Sequence, residues 1–319
     1  MGETDALTER AALLALLDER PSLPGEHRRA SWSDIALEVS VRGSASSLWD
    51  ETHALTLDGM ADPDGVLDAA RHRLQAWADA DFDVLTVLDA EYPLALRGIH
   101  EMPPILFTKG TARPDDVAVS IVGSRGASPK GRSMAANIAK GLVERGLSVI
   151  SGLADGIDTA AHQATLEAGG RPVGVIGTGI SRVYPSTAGS RALHGRVAGA
   201  GVLISQFLPD APPSRTSFPM RNVTMSGLGR ASIIVEAGER SGTRVLARAA
   251  VEHGRAVILT DAVVNATDWG KQLVGRPGVY VAGSTSEVMS IVESLVAEDI
   301  RFDIAFPSSA VTVRLPDSM

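Results

Sequence analysis

From Val117 onward, short apolar runs rich in β-branched residues alternate with amphipathic stretches of 10–17 residues. Apolar strands separated by segments of helix length are typical of a parallel sheet covered by helices on both faces. We therefore predict an α/β fold with a doubly wound, mainly parallel sheet over residues 117–297. In such folds the ligand lies at the carboxyl ends of the strands, near the point where the strand order reverses. The predicted strands are Val117–Val122, Leu147–Ile150, Val173–Ile176, Val202–Ile204, Ser232–Val235, Ala256–Leu259 and Val279–Val281.

The residues before this region are predicted to form a small helical accessory domain and a connector. Helical spacing of apolar residues places helices in 1–80, and the Pro- and Arg-containing stretch 20–33 is predicted to be a loop. The connector, 81–116, carries two short strand candidates, and 298–319 is predicted to be a tail, either loose or docked as a strand. The predicted helices are Leu7–Leu17, Asp34–Val41 and Gly65–Ala80, and the connector strands are Val84–Leu88 and Ile105–Phe107.

The formal net charge of −8 is unevenly distributed along the chain. Residues 1–116 carry −12, residues 117–290 carry +7 and residues 291–319 carry −3. The predicted sheet domain is therefore basic and is compatible with a nucleic-acid partner. The acidic N-terminal region either contacts a partner protein, screens the basic domain, or is a solvated surface.

Cysteine is absent, which excludes disulfides, thiolate metal sites and cysteine nucleophiles. No apolar run approaches the roughly 20 residues of a membrane helix, and the acidic first 20 residues do not resemble a secretory signal. We expect a cytoplasmic protein with no membrane contact.

Small and basic residues follow several of the predicted strands, at the edge where a ligand is expected. Small residues let the backbone approach a ligand, helix N-termini offer free N–H groups to a phosphate, and arginine adds a forked, charged donor. Together these features predict a phosphate-binding pocket, although glycines at strand ends also serve to make tight turns. The candidate phosphate-binding residues are Gly123, Ser124, Arg125, Ser151, Gly152, Gly177, Gly179, Arg221, Asn222, Ser241 and Gly242.

Motifs for catalysis, metals and dinucleotides are missing from the sequence. It has no P-loop, no serine nucleophile elbow and no metal-ligand spacing, and Gly177–Gly179 does not continue as a dinucleotide fingerprint. Asp158 and His162 are an i, i+4 pair that is either a base with its orienting carboxylate or a hydrogen bond at a helix start. Glu236 and Lys271 are further candidate structural or ligand contacts. We predict no catalytic residue, no metal and no cofactor.

Several short motifs, in a specific order over about 200 residues, resemble the DNA-processing protein DprA (Smf) family. The motifs are Tyr92-Pro93, Pro103, Leu106, Gly110, Ile121–Arg125, Ser151–His162, Tyr184-Pro185, Leu203–Ser205, Phe218–Asn222, Gly227-Leu228, Val235–Ala237 and Ser241-Gly242. The resemblance implies a Rossmann-like domain, preceded by a SAM-like helical domain, that binds single-stranded DNA, dimerises and helps load a RecA-type recombinase in natural transformation. It also implies a DNA-phosphate role for Gly123, Ser124, Arg125, Ser151, Gly152, Arg221 and Asn222. Residues 291–319 are too short for the C-terminal winged helix of many members, which we expect to be absent.

The sequence departs from the family pattern at Asp155 and Val223, where the family usually has basic residues. It also departs at Gln206, where the family usually has Glu, and at Thr260-Asp261, where the family usually has Pro-Gly. Fewer positive charges are expected to weaken DNA binding, which leaves a nucleotide-sensing module as an alternative. A phosphoribohydrolase-like enzyme is a second alternative, because the stretch Glu236–Thr243 matches part of that group's loop.

Overall fold

A computed structural model describes residues 3–53 and 65–305. Its N-terminal part is helical, as the apolar spacing predicts. A short helix that the spacing does not predict, α3, begins at the cap Ser44, whose side chain accepts a hydrogen bond from the Ser47 N–H. The helices are α1 (Glu3–Glu19), α2 (Trp32–Arg42), α3 (Ala45–Thr52) and α4 (Val66–Ala78).

Nine strands form one sheet, in the order β1-β2-β6-β5-β4-β3-β7-β8-β9. The seven strands from β6 to β9 in this order are mutually parallel, which confirms the predicted doubly wound sheet. The two connector strands pair antiparallel and extend the sheet beyond β6. The strands are β1 (Asp83–Thr86), β2 (Ile105–Gly110), β3 (Ala118–Gly123), β4 (Ser148–Ser151), β5 (Pro172–Val175), β6 (Val202–Ser205), β7 (Ala231–Glu236), β8 (Ala256–Thr260) and β9 (Val279–Ala282).

The strand order reverses between β3 and β7. From β3 the chain moves outward through β4, β5 and β6, then returns to β7 and continues outward on the other side. Neighbouring loops diverge at such a point and leave a crevice at the carboxyl ends of the strands. The helices of this region are α5 (Pro129–Glu144), α6 (Ile157–Glu167), α7 (Ala188–Ala200), α8 (Ser217–Leu228), α9 (Thr243–Glu252), α10 (Asp261–Ala266), α11 (Asp268–Leu273) and α12 (Thr285–Ala305).

Apolar side chains cover both faces of the sheet. One face packs in a continuous core with the N-terminal helices, where the rings of Trp77 and Phe82 meet Phe107 edge-on at centroid distances of 5.2 and 5.9 Å. The other face is covered by α5, α6 and α12. Helix α12 runs through Ala305, past the predicted tail boundary, and the rest of that tail, 306–319, lies outside the described residues. In the described part of the chain, no helix combines the length and apolar character needed to span a bilayer.

Candidate nucleic-acid interface

An open cavity of about 430 Å³ lies at the switch point between β3 and β7. Eight of the residues singled out in the sequence line it, although they come from four different segments of the chain. These eight are Gly123, Ser124, Arg125, Asp158, Arg221, Asn222, Ser241 and Gly242. Arg240 and Phe218 also line the cavity and were not predicted as site residues.

The loop after β3 is shaped by close backbone packing. A Cβ atom at Gly123 would lie 2.5 Å from Ile157 Cγ1 and 2.8 Å from the Glu236 carbonyl oxygen, so a larger residue would displace the loop. The Glu236 carboxylate accepts hydrogen bonds from the Ser128 N–H (3.0 Å) and hydroxyl (2.7 Å) at the start of α5. Glu236 is therefore a structural acceptor that holds the Arg125 loop beside β7.

Arg221 is a buried arginine within the cavity wall, and its side chain is held from two sides. Its Nη1 donates to the Val175 carbonyl oxygen at 2.9 Å, and its guanidinium lies where a Cβ atom of Gly152 would be. Asp158, also buried, accepts weak hydrogen bonds from the Gly152 N–H (3.2 Å) and the Ala154 N–H (3.4 Å). Burial raises the pKa of the Asp158 carboxyl, while the charge of Arg221 and these N–H groups oppose the rise. The site thus contains a fixed, buried positive charge.

Exposed cationic and aromatic groups surround this buried centre. The Arg125 guanidinium carbon lies 5.5 Å from the centroid of the Phe218 ring, and the Tyr184 ring lies 5.7 Å from the same ring. Tyr184 is 45% exposed and lines an adjoining cavity of about 150 Å³ together with Arg125, Gly152 and Phe218. Arginine with exposed rings is a suitable surface for phosphates and bases together.

Comparison with known proteins agrees with the fold and shows the family. The sequence profile of the family described as DNA recombination-mediator protein A matches residues 83–292. The chain belongs to this family.

Relatives within the family share about a third of their aligned residues with this chain. The chain is 34% identical over 217 residues to DNA processing protein DprA of Streptococcus pneumoniae, covering 66% of this chain and 75% of the relative. It is 34% identical over 186 residues to the Bacillus subtilis protein, covering 58% of this chain and 62% of the relative. It is 37% identical over 194 residues to the putative DprA of Mycobacterium tuberculosis, covering 60% and 49%. The match thus spans between about half and three quarters of these family members.

Solved structures of the family show the same architecture. The X-ray structure of the S. pneumoniae protein superposes with a TM-score of 0.66 at 28% identity, over 89% of this chain and 95% of that one. A structure of the Helicobacter pylori protein, described for its single-stranded DNA binding mode, superposes with a TM-score of 0.59 at 20% identity, over 68% and 98%. At this low identity, the superposition with the H. pylori protein shows only that the two proteins share a fold.

Four of the predicted phosphate-binding residues do not line the main cavity. The Ser151 hydroxyl is buried and donates to the Ile121 carbonyl oxygen at 2.6 Å. A Cβ at Gly177 would lie 2.6 Å from Phe218 Cδ1, and the Gly179 N–H donates to the Ala211 carbonyl oxygen at 2.9 Å. The fourth, Gly152, lines the adjoining cavity. Small residues at Gly177 and Gly179 therefore allow close packing.

Two other candidates also lie away from the cavity wall. His162 is fully buried, and burial lowers its pKa to about 4, so that the imidazole is neutral at pH 7. Among the described residues, no hydrogen bond joins it to Asp158, so the two residues form neither a base with its orienting carboxylate nor a shared hydrogen bond at the helix start. Lys271 lies on α11, where its ammonium pairs with Asp268 at 3.1 Å. In the described ranges, no cluster of three or more side chains suited to a metal occurs.

The departures from the family pattern differ in their positions. Asp155 is exposed and lines the adjoining cavity beside Arg125. Val223 and Gln206 instead line a separate cavity of about 180 Å³ between α2 and α8, where the Gln206 amide oxygen accepts a hydrogen bond from the Thr224 hydroxyl. Val223 therefore lies away from the cavity that holds Arg125 and Arg221, and its effect on DNA binding stays a prediction. Asp155 alone of these residues adds a negative charge near Arg125.

Proposed function

We propose that this protein binds single-stranded DNA at the switch-point cavity. The observation that carries the proposal is the convergence of Arg125, Arg221 and Arg240 on one open cavity, beside the rings of Phe218 and Tyr184. The exposed guanidinium groups of Arg125 and Arg240 and the N–H groups at the start of α9 suit phosphates. The rings suit stacked bases. Single-stranded DNA is also the ligand described for the H. pylori family member.

Single strands fit this site better than duplex, because the bases of a single strand are free to stack on side chains. Phosphate contacts carry no sequence information, so we expect weak sequence preference. Aromatic residues are only 4% of the chain, so that the charge of the arginines supplies most of the affinity.

We propose a binding role and no catalysis at this site. Phosphoribohydrolase-like chemistry would use a free carboxylate in the Glu236–Thr243 loop, but Glu236 is bonded to Ser128 and Glu239 accepts a hydrogen bond from the Asp268 N–H. A nucleotide-sensing role uses the same phosphate contacts and differs in ligand size, so mononucleotides belong in the binding experiment as a separate arm.

The test is fluorescence anisotropy with labelled oligothymidylate, an equal-length duplex and mononucleotide competitors. We expect tight oligothymidylate binding that weakens with salt, and little competition by mononucleotides. Arg125→Ala and Arg240→Ala should each reduce the salt slope by about 0.7, because each removes one phosphate contact. The matched control is Arg196→Ala, since Arg196 is an exposed arginine on α7 outside the cavity. Equal binding by all variants, or preference for a mononucleotide, would contradict the proposal.

We further propose that the protein acts as a homodimer in the cytoplasm and helps load a RecA-type recombinase onto single-stranded DNA during natural transformation. The family description as a recombination mediator supports this role. We expect the recombinase to assemble faster on strands coated with single-strand-binding protein when the wild-type protein is present than when it is absent. The same measurement is made with Arg125→Ala. Light scattering after gel filtration tests the dimer. A monomer, or no effect on assembly, would count against this part of the proposal.

A further inference from the structure

Helix α9 carries arginines that lead away from the cavity. Its residues Thr243 and Leu246 line the cavity wall, as does Arg240 in the turn just before the helix. Arg244 and Arg248 follow on the outer side of the same helix, where Arg248 is exposed and Arg244 is half-buried. The outer side of α9 is therefore continuous with the cavity rim.

The charges of these three arginines are uncompensated within the described ranges. Arg145 and Arg171 elsewhere in the domain pair with Glu293 and Asp116 at 2.5 and 2.7 Å, but no such ion pair involves Arg240, Arg244 or Arg248. The neighbouring carboxylate of Glu239 accepts a hydrogen bond from the Asp268 N–H at 2.8 Å, at the start of α11. Within the described ranges, no ion pair with a carboxylate therefore neutralises these three positive charges.

The spacing of the arginines matches a nucleic-acid backbone. Arg244 and Arg248 are four apart on α9, so they are separated by a rise of about 6 Å and lie on the same side of the helix. This rise is close to the distance between successive phosphates of an extended single strand, and Arg240 precedes the two in the turn before the helix. Glu252, one further turn along, is an exposed carboxylate that would repel a phosphate at the end of the row.

We propose that the single strand leaves the cavity along α9, with Arg240, Arg244 and Arg248 each contacting one phosphate and Glu252 ending the contact. This inference rests on the proposed single-strand binding and assigns it a path. It adds two phosphate contacts outside the cavity, so that affinity depends on strand length. Because the contacts are to phosphates, the path is independent of sequence.

The test is anisotropy with oligothymidylates of about 6, 12 and 20 nucleotides, which cover the usual range of single-strand site sizes. The double variant R244A/R248A should bind the shortest strand as wild type does. For the longest strand it should lose roughly 20-fold in affinity at about 0.1 M salt, and its salt slope should fall by about 1.4, or 0.7 for each phosphate contact. Alanine is a better helix former than arginine, so α9 should remain folded, which circular dichroism checks.

The charge-preserving variant R244K/R248K is the matched control and should restore most of the length dependence. E252Q should raise the affinity for the longest strand slightly and leave the shortest unchanged. Wild-type binding of R244A/R248A at every length, or an equal loss at every length, would overturn the path along α9 and leave the cavity proposal intact. Failure of wild type to bind any oligonucleotide would instead overturn both.

Discussion

At the scale of single residues, Gly152 determines where the guanidinium of Arg221 lies. A Cβ atom at Gly152 would overlap Arg221 Nη1, and the buried guanidinium is held on its other side by the Val175 carbonyl. Gly152→Ala should therefore displace Arg221 and weaken oligothymidylate binding roughly tenfold, a loss of about 1.4 kcal/mol. Anisotropy measures the affinity, and a thermal melt measures the folded state.

The control for this substitution is Gly195→Ala on α7, where a Cβ would meet nothing within 4 Å. It should leave the affinity unchanged and should not lower the melting temperature, because alanine is a better helix former than glycine. If Gly152→Ala binds normally, the position of the Arg221 guanidinium does not matter for the ligand. If it only lowers the melting temperature, the role of Gly152 is in packing alone.

Residue identity alone did not separate ligand contacts from packing contacts. Gly123 and Gly152 lie at the cavities, whereas Gly177 lies beneath the Phe218 ring. A glycine beside a ligand cavity and a glycine packed against a ring both lack a side chain. The sequence pattern is therefore the same in the two cases. Likewise, the partner of Glu236 is Ser128, 108 residues earlier in the chain, and only the folded structure brings the two together.

At the scale of elements, the buried Glu9 of α1 is joined to the N-terminus of α3. Its carboxylate accepts hydrogen bonds from the Ala45 N–H (2.5 Å), the Ser46 N–H (3.2 Å) and the hydroxyls of Ser44 and Ser46. Burial alone would raise the pKa of Glu9, but these bonds outweigh it and hold the pKa below its ordinary value. Glu9→Gln places an amide N–H₂ against some of these donors, so we expect a loss of about 1–3 kcal/mol in the free energy of unfolding.

Urea unfolding followed by circular dichroism measures this loss. The control is Asp50→Asn, which changes an exposed carboxylate of α3 and should shift the midpoint little. An unchanged midpoint for Glu9→Gln would show that the hydrogen bonds to α3 do not depend on the charge of Glu9. Because the pKa is lowered by folding, this stabilisation is present at neutral pH and is lost only as the pH falls below the ordinary value of 4.5.

The local sequence pattern was sufficient to predict the parallel strands. It was not sufficient to predict that β1 and β2 extend the same sheet. Each parallel strand is a buried apolar run, and burial on both faces leaves a clear signal in sequence. The strands β1 and β2 were recognised as short apolar runs, but their membership of the same sheet depends on pairing Phe107 with Ser205 across 98 residues. Helix α3 has only eight residues, too few to give a helical period.

At the scale of the whole molecule, the N-terminal helices and the sheet share one apolar core. Side chains from α1 to α4 are continuous with those on one face of the sheet, through Trp77 and Phe107. The acidic N-terminal region and the basic sheet domain are thus packed together although their charges differ by 19 between residues 1–116 (−12) and 117–290 (+7). We expect them to unfold in one transition, since separating them would expose this core.

Two buried histidines should make that transition pH-dependent. Burial lowers the pKa of both His162 and His194 to about 4, whereas an unfolded chain has its histidines near 6.5. Below pH 6.5 the unfolded chain therefore binds protons that the native protein does not. Stability should fall as the pH drops from about 6.5 towards 4, by up to about 1.4 kcal/mol per pH unit for each histidine.

His194→Gln removes one titrating group, so its slope of unfolding free energy against pH should be about half that of wild type between pH 6.5 and 5. Urea unfolding at several pH values measures the slope, and keeping the pH above about 5 limits the contribution of carboxylates with a lowered pKa, such as Glu9. His72→Gln on α4 is the control, because His72 is exposed and should leave the slope unchanged. An equal slope for His194→Gln and wild type would mean that His194 is protonated as easily in the native protein as in the unfolded chain. That result would require the native structure to open around α7 at mildly acidic pH, since a charged imidazole is not stable in its present buried position.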